Sequence, residues 1–181
     1  KISNHGSTFC IEKDISRLNK ITERFSKIGS QPVLNSNNLI SVIENVITYL
    51  RSRSSDKVVF RVETESREFI LSFNPPLFEW VIENVCKNAM DAIEGSGEIR
   101  IRVYEQNHLA FIDILDNGKG IPKSDFATIF KPGYTTKERG WGLGLSLSKR
   151  IVEEYHQGRI IVANSEIGKG TTIRIVLKKS T

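Results

Sequence analysis

Three groups of residues have the types and spacing to do chemistry. The first lies in FEWVIENVCKNAMDAIEG, Phe78–Gly95. Read as a helix, at about 100° per residue, it brings Asn84, Asn88 and Asp91 within about 60° of one another. Val81, Ile82, Val85, Cys86, Ala89 and Ile93 take the other side. Glu83, Lys87 and Glu94 flank the trio, so an ordinary polar face also fits. Exposed helix faces favour Lys, Glu and Gln, whereas Asn and Asp are weaker helix formers. Two amides in line with a carboxylate offer oxygens to Mg²⁺ and its waters, and N–H groups to a phosphate.

The second group is AFIDILDNGKGIP, Ala110–Pro122. Alternation along a strand puts Ile112, Ile114 and Asp116 on one face. A carboxylate at the end of an apolar row must meet a donor, because an unpaired buried charge is costly. The exocyclic amine of a purine would serve; a strand-end Asp in an Asp-Asn-Gly turn is the plainer alternative. Gly118 and Gly120 point to backbone held close to something flat.

The third is KERGWGLGLSLSKRIVEEY, Lys137–Tyr155, with glycines at alternate positions 140, 142 and 144 before a helical pattern. Each glycine costs a helix about 1 kcal/mol relative to alanine, so their clustering needs a reason. A dinucleotide fingerprint would be G-x-G-x-x-G directly after a strand, and a Walker A loop would continue into Gly-Lys-Ser/Thr; neither is present. What remains is a glycine-rich entry into a helix N-terminus, whose free amides and dipole favour an anion, with Lys137 adding charge.

The elements that must position these groups follow from periodicity. Apolar residues recur every three or four positions from Thr8 to about Ile28 and from about Asn37 to Arg51, which predicts two helices. The period then falls to two: KVVFRVETESREFILSF reads as two strands with a turn near Thr64–Arg67. Asn74–Pro76 introduces a helix over Leu77–Glu94, and strands around 99–104 and 109–116 follow. Residues 117–141 form a Gly/Pro/Lys-rich loop with a short helical piece at Ser124–Phe130. The last helix runs to about Gln157 with Gly158 as C-cap, before strands near 159–165 and 171–178. This order is α+β: a mixed sheet covered on one face by helices.

Composition narrows the class. The chain has 181 residues, 39% hydrophobic and 26% charged, with net charge +5. No apolar run reaches the roughly 20 residues that span a bilayer. Two cysteines, Cys10 and Cys86, fit neither a disulfide framework nor a metal spacing, which favours a reducing, cytoplasmic setting. Lys123, Lys131, Lys137, Arg139, Lys149 and Arg150 concentrate positive charge around the glycines, as a solvated surface or as a site for an anion. No nucleic-acid motif accompanies them.

Taken in order, the segments resemble the ATP-binding catalytic domain of bacterial sensor histidine kinases, a branch of the gyrase/Hsp90/MutL ATPase superfamily. ENVCKNAMDAI looks like the N box, DNGKGIP the G1 box, FATIFKPGYTTK the F box and ATP lid, and GWGLGLSLSKRIVE the G2 box. GKGT resembles the last glycine turn, ending on Thr171 near the adenine. The resemblance covers about residues 35–180 and implies the Bergerat α/β sandwich, Mg-ATP binding and transfer of the γ-phosphoryl group to a histidine. It implies that Asp116 takes the adenine amine and that Gly118, Gly120 and Ile121 line the base. Asn88 and Asn84 would hold Mg²⁺. Lys137 and the backbone of Gly140, Gly142, Leu143, Gly144 and Leu145 would face the phosphates. Many members carry Lys or Arg three residues after the second N-box amide; here that position is Asp91, with Lys87 as the nearby cation.

DISRLNKITERFSKIG resembles the second helix of a kinase dimerisation hairpin, which makes residues 1–32 a hairpin remnant and 33–181 the catalytic domain. The first helix, with the phosphoacceptor, is expected before Lys1. His5 stands in a polar stretch, and His108 and His156 are expected at the surface, so none of the three histidines is the expected acceptor. The implied partners are ATP, a response regulator receiver domain and the chain's own hairpin, hence a homodimer, in a parent open to attachment at the inner membrane. Two other readings stand beside this one: an ATP-driven clamp of the gyrase or Hsp90 kind, and a non-catalytic nucleotide-binding module. The clamp class usually places a Glu four residues before the metal-binding Asn, where this chain has Asn84.

Overall fold

Five strands hydrogen-bond into one mixed sheet, in the spatial order β2 (Val58–Thr64), β4 (Gly97–Gln106), β5 (Leu109–Asp116), β7 (Gly170–Lys178) and β6 (Arg159–Glu166). The computed structural model describes residues 32–53, 57–137 and 141–179. The Thr8–Ile28 helix, the remnant assigned to 1–32 (Pro32 apart), His5, Cys10, Arg139 and Gly140 lie outside the described residues. Leu34–Thr181 form one compact unit.

The sheet is mixed because β2 runs parallel to β4 while the other neighbours are antiparallel. A parallel pair needs a long crossover. Here it contains β3 (Ile70–Phe73) and α2 (Pro75–Ala92). The two strands read from residues 57–73 therefore do not pair with each other. β3 pairs instead with β1 (Asn35–Asn38), which takes the two residues expected to open α1 (Leu39–Arg51). Asn38 explains the boundary: its Oδ1 accepts from the amides of Ile40 and Phe69, capping the helix and binding it to the segment entering β3.

The inward sheet row Ile99, Ile101, Val103, Ala110, Ile112, Ile114, Ile173 and Ile175 is buried beneath α2, whose Phe78, Val81, Ile82 and Val85 are buried too, and α1 packs on α2 and β2 with Ile43 and Ile47 buried. Each large side chain contributes about 1.5–3 kcal/mol on full burial. The outward face carries Arg61, Glu63, Glu98, Arg100 and Arg102 in exposed ion pairs, each worth about 0–1 kcal/mol. Helix packing on one face, not the charged ladder on the other, holds the sheet. One outward carboxylate differs: Asp113 is buried and takes two bonds of 2.7 Å from Arg174.

The last helix departs from its expected form. α3 (Gly144–Arg150) is α-helical, and Ile151–Tyr155 continue as a π-helical turn. Gln157, at φ 50°, is the left-handed residue, and not Gly158. Gly158 is needed for space, because a Cβ there would lie 2.5 Å from the Val176 carbonyl oxygen. The wider turn also carries His156 inward, against the expectation of a surface residue. Its Nδ1–H donates to the Ile151 carbonyl at 2.8 Å, and Nε2 accepts from the Asn74 amide at 3.1 Å. His108 is exposed, in the two-residue turn joining β4 to β5. Among the described residues, no helix is long and apolar enough to cross a membrane.

Candidate functional site

One end of the site is a row across the sheet. Register aligns Asp116 of β5 with Thr171 of β7, and Thr171 with Ser165 of β6. Asp116 Oδ1 accepts from the amides of Gly118 at 2.9 Å and Thr171 at 3.3 Å. Burial pushes its carboxyl pKa up, and these two backbone donors oppose the rise. No described residue donates to Oδ2, so the second oxygen can accept from outside the protein. Ser165 Oγ joins the row to the following loop. It accepts from the Ile121 amide at 2.8 Å, donates to the Gly170 carbonyl at 3.0 Å and lies 2.9 Å from Thr171 Oγ1.

The glycines around this row serve a close approach, and the partner is protein backbone. A Cβ at Gly118 would lie 2.5 Å from the Ala92 carbonyl oxygen, and one at Gly120 would lie 2.2 Å from that of Glu166. Gly170 is the tightest: at φ 108° its Cβ would come within 1.9 Å of the Asp116 carbonyl oxygen. The loop is fastened to α2 as well, through Lys119 N–H to the Ala92 carbonyl at 2.9 Å.

That contact places the sheet row one residue from Asp91, where the other end begins. Asn88 and Asp91 lie one turn apart on α2, and the Lys137 ammonium joins them, at 3.0 Å from Asn88 Oδ1 and 2.5 Å from Asp91 Oδ2. Asn84 is used differently. Its amide nitrogen donates to Ser148 Oγ of α3 at 3.0 Å, and Gly144 has no room for a Cβ because Asn84 Oδ1 would be 2.4 Å away. Lys87 is not brought to the cluster; it pairs with Glu83 on its own helix at 2.5 Å.

The loop carrying Lys137 is closed at its base by the Gly133 amide donating to the Gly142 carbonyl at 3.0 Å. Gly142 is left-handed at φ 63°, and a Cβ there would strike Gly133. Leu143 precedes α3 without a side-chain cap, so the amides of Gly144, Leu145 and Ser146 have no intrahelical acceptor. Basic charge nearby is partly neutralised, since Lys149 and Arg150 pair with Glu153 and Glu154 one turn on. Cys86 is buried and its thiol is pushed up to about 12, which makes it inert.

The structure brings together Asp116, Gly118, Gly120, Ile121 and Thr171 at one end, and Asn88, Asp91 and Lys137 at the other. Sequence reasoning does not find Ser148 or Ser165. Ser148 carries a signal, a hydroxyl on the apolar side of its helix. The donor set also suits a metal nucleotide. Asn88 Oδ1 and Asp91 already hold a cation, the Lys137 ammonium, and Asp116 keeps one acceptor oxygen open.

Residues 73–181 match the family described as histidine kinase-, DNA gyrase B-, and HSP90-like ATPase. The chain belongs to this family. Within this ATPase family it is similar to nitrogen regulation protein NtrY of Azorhizobium caulinodans, 31% identical over 180 residues, covering 94% of the chain and 23% of NtrY. It is also similar to sporulation kinase D of Bacillus subtilis, 32% identical over 178 residues, covering 94% of the chain and 34% of that protein. The chain thus spans between about a quarter and a third of these relatives. Among solved structures, the catalytic domain of histidine kinase ThkA superposes with a TM-score of 0.74 at 26% identity, covering 81% of the chain and 95% of that domain. ThkA in complex with the response regulator TrrA gives 0.75 at 25% identity, covering 94% of the chain and 50% of ThkA. The α+β sandwich expected from the sequence is the fold of these ATPase domains.

Proposed function

We propose that this chain binds Mg-ATP and donates its γ-phosphoryl group to a histidine on a dimerisation hairpin, for relay to a response regulator. The observation that carries this reading is Asp116. Two backbone amides fix one carboxylate oxygen and leave the other open to a donor, as an adenine amine needs. Gly118 and Thr171, which bond Asp116, would line the base together with Gly120 and Ile121. Asn88 would hold the metal, which would supply positive charge to the polyphosphate, and Asn84, bound to Ser148, stands one turn behind it. Lys137 and the amides of Gly142, Leu143, Gly144 and Leu145 would face the phosphates. ThkA's complex with a response regulator supports the same kind of partner for this chain. The working assembly is a homodimer through the hairpin, on the cytoplasmic side of a membrane-attached parent.

Transfer is favoured over hydrolysis by α2. Asn84, at the position of the clamp class's base, is bound to Ser148, and the neighbouring Glu83 is held by Lys87. The test is incubation with γ-labelled ATP and a separately purified hairpin carrying its histidine. Acid-labile, base-stable label should appear on the hairpin and not on this chain, whose His108 lies in a turn and His156 in the core. Phosphate release without transfer would assign the clamp reading, and binding with neither would assign the non-catalytic module. Label on His5 would overturn the hairpin assignment.

A further inference from the structure

We infer that Asp91 is the resting counter-ion of Lys137: with Asn88 it parks the loop lysine at the metal-binding oxygen, and Mg-nucleotide binds by displacing it. The inference rests on the function proposed above and adds a positioning role for Asp91.

Three observations support it. Lys137 Nζ contacts Asn88 Oδ1, the oxygen assigned to the metal, so that oxygen serves the ammonium or the metal but not both. Asp91 is the only acidic group among the described residues that pairs with Lys137, and it lies one turn from Asn88 on the same helix. The approach of Lys137 is shaped by its own loop: its amide donates to Thr135 Oγ1 at 3.1 Å, the Tyr134 hydroxyl donates to Asp125 at 2.9 Å, and Gly133 and Gly142 close the base.

A carboxylate beside a polyphosphate repels it, so Asp91 is an unfavourable choice for a phosphate site on its own. Paired with Lys137, it stores a mobile cation within reach of the site. The pair is about half exposed, at 45% and 55% for the two side chains, so it is weak enough to exchange. Once released, Lys137 passes from one carboxylate to several phosphate oxygens. Nucleotide binding must first undo the parked state, which lowers apparent affinity by the fraction of molecules parked.

The test has two arms, both on the whole chain. In the first, hydrogen exchange is followed at Thr135–Lys137 without nucleotide. Asp91→Asn should speed exchange roughly two- to five-fold, and Asp91→Glu should restore it. Equal rates in all three proteins would overturn the parked state. In the second arm, Mg-ADP is titrated into wild type, Asp91→Asn, Lys137→Met and the double variant. Asp91→Asn should tighten binding roughly two- to five-fold in the wild-type background and leave Lys137→Met unchanged. Equal tightening in both backgrounds would mean that Asp91 acts by direct repulsion of phosphate, and would overturn the inference. Absence of ADP binding in every protein would sink the proposed function and the displacement, while the exchange rates still decide whether Lys137 is parked.

Discussion

At the sheet end of the site, Asp116 is held by backbone; at the helix end, Asn88, Asp91 and Lys137 are held by one another. The first arrangement is set by strand register. Asp116, Thr171 and Ser165 stand on three adjacent strands, and the glycines beside them leave no space between main chains. Moving one group means breaking the sheet. The second arrangement is made of side-chain contacts in solvent, each worth about 0–1 kcal/mol. It can change partners at little cost. A rigid end suits recognition of a flat, invariant base. An exchangeable end suits phosphates, whose number and metal content change during a reaction cycle.

The sheet end is most sensitive at Gly170. Gly170→Ala puts a Cβ against the Asp116 carbonyl at a left-handed position and should cost about 2–5 kcal/mol of stability. A thermal melt close to wild type would show that the sheet end is adaptable after all. Arg174→Met sharpens the same point from the outward face. It leaves buried Asp113 without its partner and should cost about 1–3 kcal/mol, while ADP affinity measured by calorimetry stays at the wild-type value. A parallel loss of affinity would mean that stability alone governs the site.

A smaller effect is expected with pH at His156. Burial lowers its pKa, against the opposing bond to Ile151, so the folded state prefers the neutral ring. The unfolded chain then binds more protons, and stability falls as pH drops below the ordinary histidine value of about 6.5. Protonation also removes the Nε2 acceptor from the Asn74 amide at the start of α2. Denaturant melts of wild type and His156→Gln between about pH 7.5 and 5.5, an interval set by the ordinary value, should show a steeper loss for wild type. The smallest effect belongs to the helix end. Lys137→Ala should shift stability by less than about 1 kcal/mol, as a melt without nucleotide will report.

Much of this molecule can be read from its sequence, and the exceptions have physical causes. The polar stripe of α2 and the inward row ending at Asp116 follow from periods that tertiary structure leaves intact. Ser165 is hidden by a bulge between Val162 and Asn164, which reverses the alternation and turns the hydroxyl inward. His156 is hidden by the π-helical turn, whose extra residue rotates the helix end toward Phe78. Alternation identifies β2 and β3 as strands but carries no information on partners, so their separate pairings are illegible. The partner of Lys137 is 46 residues away on α2, and a basic loop does not reveal which carboxylate it will meet.

In the function proposed here, Asp116 recognises the base of a bound nucleotide. Calorimetric titration of ADP into wild type and Asp116→Asn tests it most directly. The substitution keeps the size of the side chain but offers the base an amide where it needs an acceptor. Binding should weaken by roughly ten-fold or more, with melting little changed. Equal ADP affinity in the two proteins would contradict the claim.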